Sequence, residues 1–360
     1  MNKLIHGLLL PLSKGYALAT YVRNRLFDKG VLRSESFEVP VISVGNIAVG
    51  GTGKTPHVAL LCEALSKRYR VAVLSRGYGR RTRGYLLATP QHTAADIGDE
   101  PCLLKRRYPG VTVAVDERRV HGIRQLLQLA EPPEVIVLDD AFQHRYVKPS
   151  FSILLSDVHR PLYADTCLPA GRLRESSAGR LRADMVVLTK TPAGFSPQDL
   201  QRERVAFRLP EEMPFMATSL RYGALQPVFS GSNPLCGMEV SQGVLKDYAV
   251  LAVTAIAAPA PFYDFLRPQV ARLETLQFAD HHAFTARDVI RAVRLFDQLP
   301  GEKKCLLTTE KDAVRWDAAG VPDRLRAAMY YVPVEVTFPL HDEEAFFAQV
   351  ATAWKNEKDA

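Results

Sequence analysis

The chain has 360 residues, 47% of them hydrophobic and 24% charged, which is globular composition with room for two domains and excludes a disordered or fibrous chain. A formal net charge of +7 favours anionic partners (nucleotide, phosphorylated substrate, acidic lipid or nucleic acid) without choosing among them. The five cysteines form no CxxC pair, which argues against a zinc cluster or a disulfide framework and fits a reducing compartment, and no stretch approaches the ~20 apolar residues needed to span a bilayer.

The N-terminus carries a short apolar run, Leu4, Ile5, Leu8, Leu9, Leu10 and Leu12, then Tyr16, Leu18, Tyr21 and Val22. Lys3, Lys14, Arg23, Arg25, Lys29 and Arg33 surround it. A signal peptide is set aside, because no small-residue cleavage site follows cleanly. Two readings stand: a basic amphipathic helix in a membrane interface, or a helix packed on the protein's own core.

The next segment runs from Val39 to Thr55 and reads as a buried strand, a glycine-rich loop and a helix start. Val41, Ile42 and Val44 supply the strand. Gly50, Gly51, Thr52 and Gly53 form a loop whose N–H groups can face phosphate oxygens at a helix N-terminus. Lys54 would reach the β- and γ-phosphates, and the Thr55 hydroxyl would meet Mg²⁺. Ala48 stands where the strict motif places Gly.

Apolar runs then recur at βα spacing: Val71–Leu74, Val111–Val115, Val135–Leu138, Phe151–Leu155 and Met185–Leu188. They are apolar on both faces, which predicts a mostly parallel P-loop NTPase-like α/β sheet flanked by helices, with ligands beyond the C-terminal strand ends. Phe195–Phe229, with four prolines, reads as a connection of short strands. Tyr248–Val253, Cys305–Thr308 and Tyr330–Val334 read as strands of a second, smaller α/β domain, with helices near 261–270, 285–299 and 343–354. The expected organisation is an N-terminal helix over 1–35, a nucleotide-binding core over 36–200, a linker or β-ribbon over 201–235 and a C-terminal domain over 236–360.

Asp139 and Asp140 end one strand, where a P-loop enzyme holds Mg²⁺ directly or through water. Asp99 and Glu100 follow Gly98; a carboxylate there can serve as base and its neighbour as metal ligand, or Asp99 can simply cap a helix that has Pro101 in its first turn. In Asp280-His281-His282, at most one histidine can face a given site, and a purely structural role is equally open. Arginines cluster at Arg76, at Arg118 and Arg119, and at Arg172 and Arg174, suiting phosphate contact. Aromatics are not interleaved with this charge, so nucleic acid is the weaker partner. Thr189-Lys190-Thr191 follows a strand at a place where nucleotide enzymes contact the base.

Taken together, Val41–Pro56, Leu74–Arg80, Gly98–Pro101, Leu138–Arg145, Leu168–Glu175, Asp280–Phe284 and Thr309–Asp312 resemble, in order, the tetraacyldisaccharide 4′-kinase family. The resemblance covers about residues 36–315 and implies transfer of the γ-phosphoryl group of ATP to the 4′-hydroxyl of an acylated glucosamine disaccharide 1-phosphate in lipid A biosynthesis. It implies Asp99 as base with His281 as partner, Lys54 and Thr55 on the phosphates and Mg²⁺, and Asp139, Asp140 and Glu100 around the metal. It also implies that Arg172 and Glu175 line the cleft; Arg76 and Arg119 are expected as further substrate contacts from the phosphate chemistry of guanidinium. The family's place is peripheral, at the cytoplasmic face of the inner membrane, with the N-terminal helix on lipid and no obligate protein partner. Ala255 departs from the family's usual Gly. The two halves are expected to close on the nucleotide, bringing His281 toward Asp99. A switch-type or chaperone-type NTPase, or a kinase of a soluble metabolite, would share the loop and the strand-end acid.

Overall fold

The computed structural model describes residues 3–229, 233–316 and 320–354, and of residues 3–8 the backbone alone, so the side chains of Leu4, Ile5 and Leu8 lie outside the described residues. It opens on a helix, α1 (Lys3–Asp28), with Pro11 inside it. There follow β1 (Val41–Asn46), α2 (Lys54–Leu65), β2 (Val71–Ser75), β3 (Leu86–Leu87), α3 (Ala94–Ile97), α4 (Asp99–Arg107), β4 (Thr112–Val115), α5 (Arg119–Leu127), β5 (Val135–Asp139), β6 (Phe151–Asp157), β7 (Met185–Thr189), α6 (Pro197–Phe207) and β8 (Phe215–Ala217). These strands form one eight-stranded sheet in the order β3-β4-β2-β5-β1-β6-β7-β8, with β3 as the antiparallel edge. β1, β2, β5 and β7 are buried along their whole length, as expected for a parallel sheet covered on both faces.

The chain continues through β9 (Ser219–Tyr222), β10 (Gln226–Pro227), β11 (Ala249–Thr254), α7 (Ala260–Leu266), β12 (Arg272–Gln277), α8 (Ala286–Gln298), β13 (Lys304–Thr309), α9 (Glu310–Trp316), α10 (Asp323–Arg326), β14 (Met329–Val332), β15 (Val334–Thr337) and α11 (Glu343–Val350). The second sheet has the order β10-β14-β13-β11-β12, parallel except at β10. β9 and β15 pair antiparallel as a separate ribbon.

Three local expectations are revised. The connection expected over Phe195–Phe229 begins with an 11-residue helix, α6. Ser196 caps it: the Ser196 hydroxyl accepts from the Asp199 N–H at 3.2 Å, and the Asp199 carboxylate accepts from the Ser196 N–H at 2.9 Å. Pro197 sits at the first helical position, where a missing N–H costs nothing, so the proline that read as a breaker is a starter. The strand expected over Tyr330–Val334 is cut at Pro333, which lacks the N–H needed to continue a ladder; β14 stays in the second sheet and β15 pairs with β9 instead. The last segment leaves the second sheet altogether. Phe338, Phe346, Val350 and Ala353 join Val58, Leu61 and Leu65 of α2 in the core under the first sheet.

The helix α1 lies on the first sheet's unit with an unusual orientation. Many of its inward contacts are polar: Ser13 Oγ accepts from Ala170 N–H at 2.8 Å, Asn24 Nδ2 donates to Glu175 Oε2 at 2.7 Å, and Arg23 donates to the Gln143 carbonyl at 3.3 Å, while Ala17 packs on apolar side chains. Phe27 is its buried aromatic anchor. Leu12 and Leu18, each 62% exposed, with Tyr21 and Val22, face outward. Among the described residues no helix is long and apolar enough to cross a membrane.

Phe346 is fully buried between α11 and the first core. Phe346→Ala should destabilise the protein by about 3–5 kcal/mol, the usual cost of deleting a buried phenyl group. Denaturant unfolding checks this, and a loss below about 1 kcal/mol would show that the C-terminal segment does not belong to that core.

Candidate active site

Parallel pairing of β1 with β5 places Val44 opposite Asp139, so the glycine loop and the acidic strand end emerge side by side at the sheet's C-terminal edge. The backbone N–H of Asp140 bonds the Val44 carbonyl at 3.0 Å. The loop turns into α2 at Gly53, whose φ of 85° is the left-handed region that a side chain disfavours. Gly53 also has no side chain with which to cap the helix, so its first-turn N–H groups are left for a ligand. Asn46, the last residue of β1, latches the loop: its Nδ2 donates to Thr52 Oγ1 at 2.8 Å and its Oδ1 accepts from Lys54 Nζ at 3.3 Å. From β7, Thr189 Oγ1 donates to the Thr52 carbonyl at 2.9 Å. Thr191 bonds Thr218 and Ser219, and Lys190 pairs with Asp157 at 2.7 Å, so all three residues expected near the base are engaged with the protein itself. Under the loop, His57 is buried, which drives its pKa down to about 4. Its Nδ1–H donates to the Gly53 carbonyl at 2.8 Å and its Nε2 accepts from Thr218 at 3.1 Å.

The two strand-end carboxylates differ in electrostatics. Asp139 is pushed up to about 6 by burial and by the negative charges of Asp140 and Glu100, with Ser75 Oγ donating to it at 3.1 Å. Asp140 is half-buried, and Lys54 at 3.7 Å and Arg174 at 2.9 Å outweigh its partial desolvation and hold it below the usual carboxylate range. No cluster of three or more metal-type side chains occurs among the described residues. A Mg²⁺ ion bound with a nucleotide needs only one or two carboxylates, because phosphate oxygens and water complete its shell; Thr55, Asp139 and Asp140 fit that donor set.

Gly98, with φ 93°, ends α3 and is also the residue before α4; a Cβ there would lie 3.0 Å from the Tyr78 carbonyl. Asp99 is therefore the first residue of α4 and not its cap, which removes the capping reading. Its side chain turns toward the second sheet. Asp99 Oδ2 lies 2.9 Å from His281 Nδ1, Arg315 Nε donates to Asp99 Oδ1 at 2.9 Å, and Arg315 Nη2 donates to Oδ2. Burial raises the Asp99 pKa, but Arg315, Lys311 and His281 overcome it and hold the carboxylate below its ordinary value. Lys311 Nζ donates to His281 Nε2 at 3.3 Å and pairs with Glu100 at 3.1 Å. An ammonium only donates, so Nε2 accepts and the proton of a neutral His281 sits on Nδ1, facing Asp99. His281 has φ 59°, while His282 stacks on Phe278 and bonds Asp288 at 2.9 Å, away from Asp99. The expected approach of His281 to Asp99 is already complete in this structure.

The arginines expected at the substrate separate by burial. Arg76 and Arg172 are exposed, and Arg172 Nη1 lies 4.0 Å from where a Cβ on Gly50 would stand. Arg119 is 2% exposed and donates to the Asp116 carbonyl at 2.6 Å; burial lowers its pKa to about 10. Glu175 is 3% exposed and accepts from Asn24, Gln143 and Arg182, tying α1 to the site's wall. Sequence reasoning gave no role to Asn46, Lys311, Asp312 or Arg315. A polar Asn ending an apolar strand was a usable signal, and Lys311 and Asp312 fall in the Thr309–Asp312 segment that carried the resemblance, without a role; Arg315 is recognisable only through contacts made across the fold.

The tetraacyldisaccharide-1-P 4′-kinase (LpxK) family model matches residues 5–355. A tetraacyldisaccharide 4′-kinase of Bacteroides thetaiotaomicron is 48% identical over 347 residues, 95% of this chain and 91% of that one. One of Phocaeicola vulgatus is 46% identical over 349 residues, 95% of this chain and 93% of that one. The crystal structure of LpxK from Aquifex aeolicus in complex with ATP superposes with a TM-score of 0.74 at 30% identity, covering 97% of this chain and 99% of that one. The chain belongs to the tetraacyldisaccharide-1-phosphate 4′-kinase family.

Proposed function

We propose that this protein moves the γ-phosphoryl group of ATP to the 4′-hydroxyl of a tetraacyl glucosamine disaccharide 1-phosphate, a step of lipid A biosynthesis. The observation that carries the reading is the Asp99–His281 pair at 2.9 Å, in a chain whose glycine loop and strand-end acids lie side by side and whose Glu100, next to Asp99, acts on Asp139; a hydrolytic switch has no need for such a pair. The names of the relatives and the ATP in the Aquifex structure support it.

The N–H groups of Gly50, Gly51, Thr52 and Gly53 cradle the triphosphate, and Lys54 neutralises charge on the β- and γ-phosphates. Thr55, Asp139 and Asp140, with Glu100 nearby, would hold Mg²⁺, which would supply positive charge to offset that of the triphosphate. His281 donates its Nδ1 proton to Asp99 and orients it. The acceptor hydroxyl gives its proton to Asp99 as its oxygen bonds the γ-phosphorus, and the bond to the bridging oxygen breaks to release ADP. Exposed Arg76 and Arg172 meet the anionic acceptor, while Arg119 and Glu175 hold the wall behind them.

The outward apolar face of α1, with Lys14 and Arg25 flanking it, is the surface for the cytoplasmic side of the inner membrane and the entry for an acylated substrate. A helix whose polar side meets the protein leaves its apolar side for lipid.

Three measurements follow from this reading. Asp99→Ala should lower kcat by about 10²–10⁴-fold, the usual contribution of a general base, and Lys54→Ala by at least as much. ADP release should also depend strongly on the lipid disaccharide; turnover that ignores it would support a switch, and near-normal turnover of Asp99→Ala would remove the base. Leu12→Glu with Leu18→Glu should cut binding to anionic phospholipid vesicles about tenfold or more while leaving the thermal midpoint in place, since each buried leucine contributes about 1.5–3 kcal/mol. Unchanged vesicle binding would sink the interfacial role of α1.

A further inference from the structure

We propose that Arg315 is the positioning residue of the transfer: it fixes the plane of the Asp99 carboxylate and leaves Oδ1 as the atom that takes the acceptor's proton. The inference rests on Asp99 being the base.

Each carboxylate oxygen can accept two bonds. Asp99 Oδ2 is filled by Arg315 Nη2 and His281 Nδ1. Asp99 Oδ1 receives Arg315 Nε at 2.9 Å and, among the described residues, no second donor. The free acceptor position of the pair is therefore on Oδ1. The proximity of Arg315 Nη2 to His281 Nδ1, 3.3 Å, is a consequence of both donating to the same oxygen.

The guanidinium is itself locked. Its Nη1 donates to Asp312 Oδ1 at 3.0 Å and to the Ala255 carbonyl at 3.2 Å. Asp312 is fully buried, and its Oδ2 accepts from the Ala255 N–H at 2.9 Å and from Thr309 Oγ1 at 2.8 Å. The Ala255 carbonyl also accepts from the backbone N–H of His281 at 3.1 Å. One rigid fork thus ties the first turn of α4 to the Ala255 backbone after β11, which in turn holds the backbone of His281. A planar, five-donor guanidinium does this and a lysine ammonium does not, because it cannot span both oxygens of Asp99 and Asp312 at once.

This role predicts a loss in the chemical step and not in binding. Arg315→Lys, which keeps the charge, should lower kcat by about 10²-fold, the cost of misplacing a reacting group by about 1 Å, with the KM values for ATP and lipid acceptor changed less than about threefold. Arg315→Ala should lose more, and guanidinium in solution should restore part of it. In an Asp99→Ala background Arg315→Lys should cost nothing further, because it acts through Asp99. A kcat within about twofold of the parent protein in Arg315→Lys, or a loss that multiplies with that of Asp99→Ala, would overturn the assignment. Should Arg315→Ala fail to fold, Arg315→Lys with its unchanged thermal midpoint carries the test. If Asp99→Ala alone turns over normally, the base itself is misassigned and the inference falls with it; if Asp99→Ala is inactive and Arg315→Lys is normal, only Arg315 is wrong.

Discussion

A carboxylate removed from water must be met by donors, and the donors of Asp99 all come from elsewhere in the chain. His281 is 182 residues away and Arg315 is 216. Neither sheet can satisfy Asp99 alone. The first supplies the helix start that exposes the carboxylate, and the second supplies the imidazole and guanidinium that keep it ionised. Leaving one partner out would strand a buried charge, which is far costlier than losing an ordinary surface ion pair. The meeting of α4 with α9 and with the His281 loop is thus the constraint on how the two sheets are arranged.

The second feature of the site is an electrostatic division of labour among acids. Asp140 is compensated by Lys54 and Arg174, whereas burial, with repulsion from Asp140 and Glu100 that Lys54 and Ser75 only partly offset, raises Asp139 to about 6. A divalent cation with a polyphosphate is the ligand chemistry that such an imbalance suits. Asp99, on the other side of Glu100, is kept ionised by cations instead. Neighbouring carboxylates are thereby set apart in acidity by their surroundings, as the proposed roles of proton acceptor and metal-facing pair require.

Much of this was legible in the chain. The glycine loop, the strand-end Asp139 and Asp140 and the strands of the first sheet rest on local signals: buried β-branched runs, turn residues and helix starts within a few positions of one another. What local signals missed has a physical reason in each case. Pro197 looks the same whether it breaks a chain or begins a helix, and only the Ser196–Asp199 capping bonds distinguish the two. Pro333 divides one apolar run between two sheets. The return of Phe346 to the first core depends on which surface α2 leaves open. Arg315 lies in α9, a helix not foreseen from the sequence; Asp312 is its near neighbour, but Asp99 on α4 is 216 residues away, and no periodicity encodes such a pairing. The capping alternative for Asp99 was excluded by the backbone of Gly98, whose left-handed φ moves the helix start by one residue.

The most direct measurement is mass spectrometry, with fragmentation, of a tetraacyl glucosamine disaccharide 1-phosphate incubated with the protein, ATP and Mg²⁺. The account predicts a product heavier by one phosphate, carried on the 4′-hydroxyl of the distal sugar. An unchanged lipid mass in the presence of protein that binds Mg-ATP would contradict it.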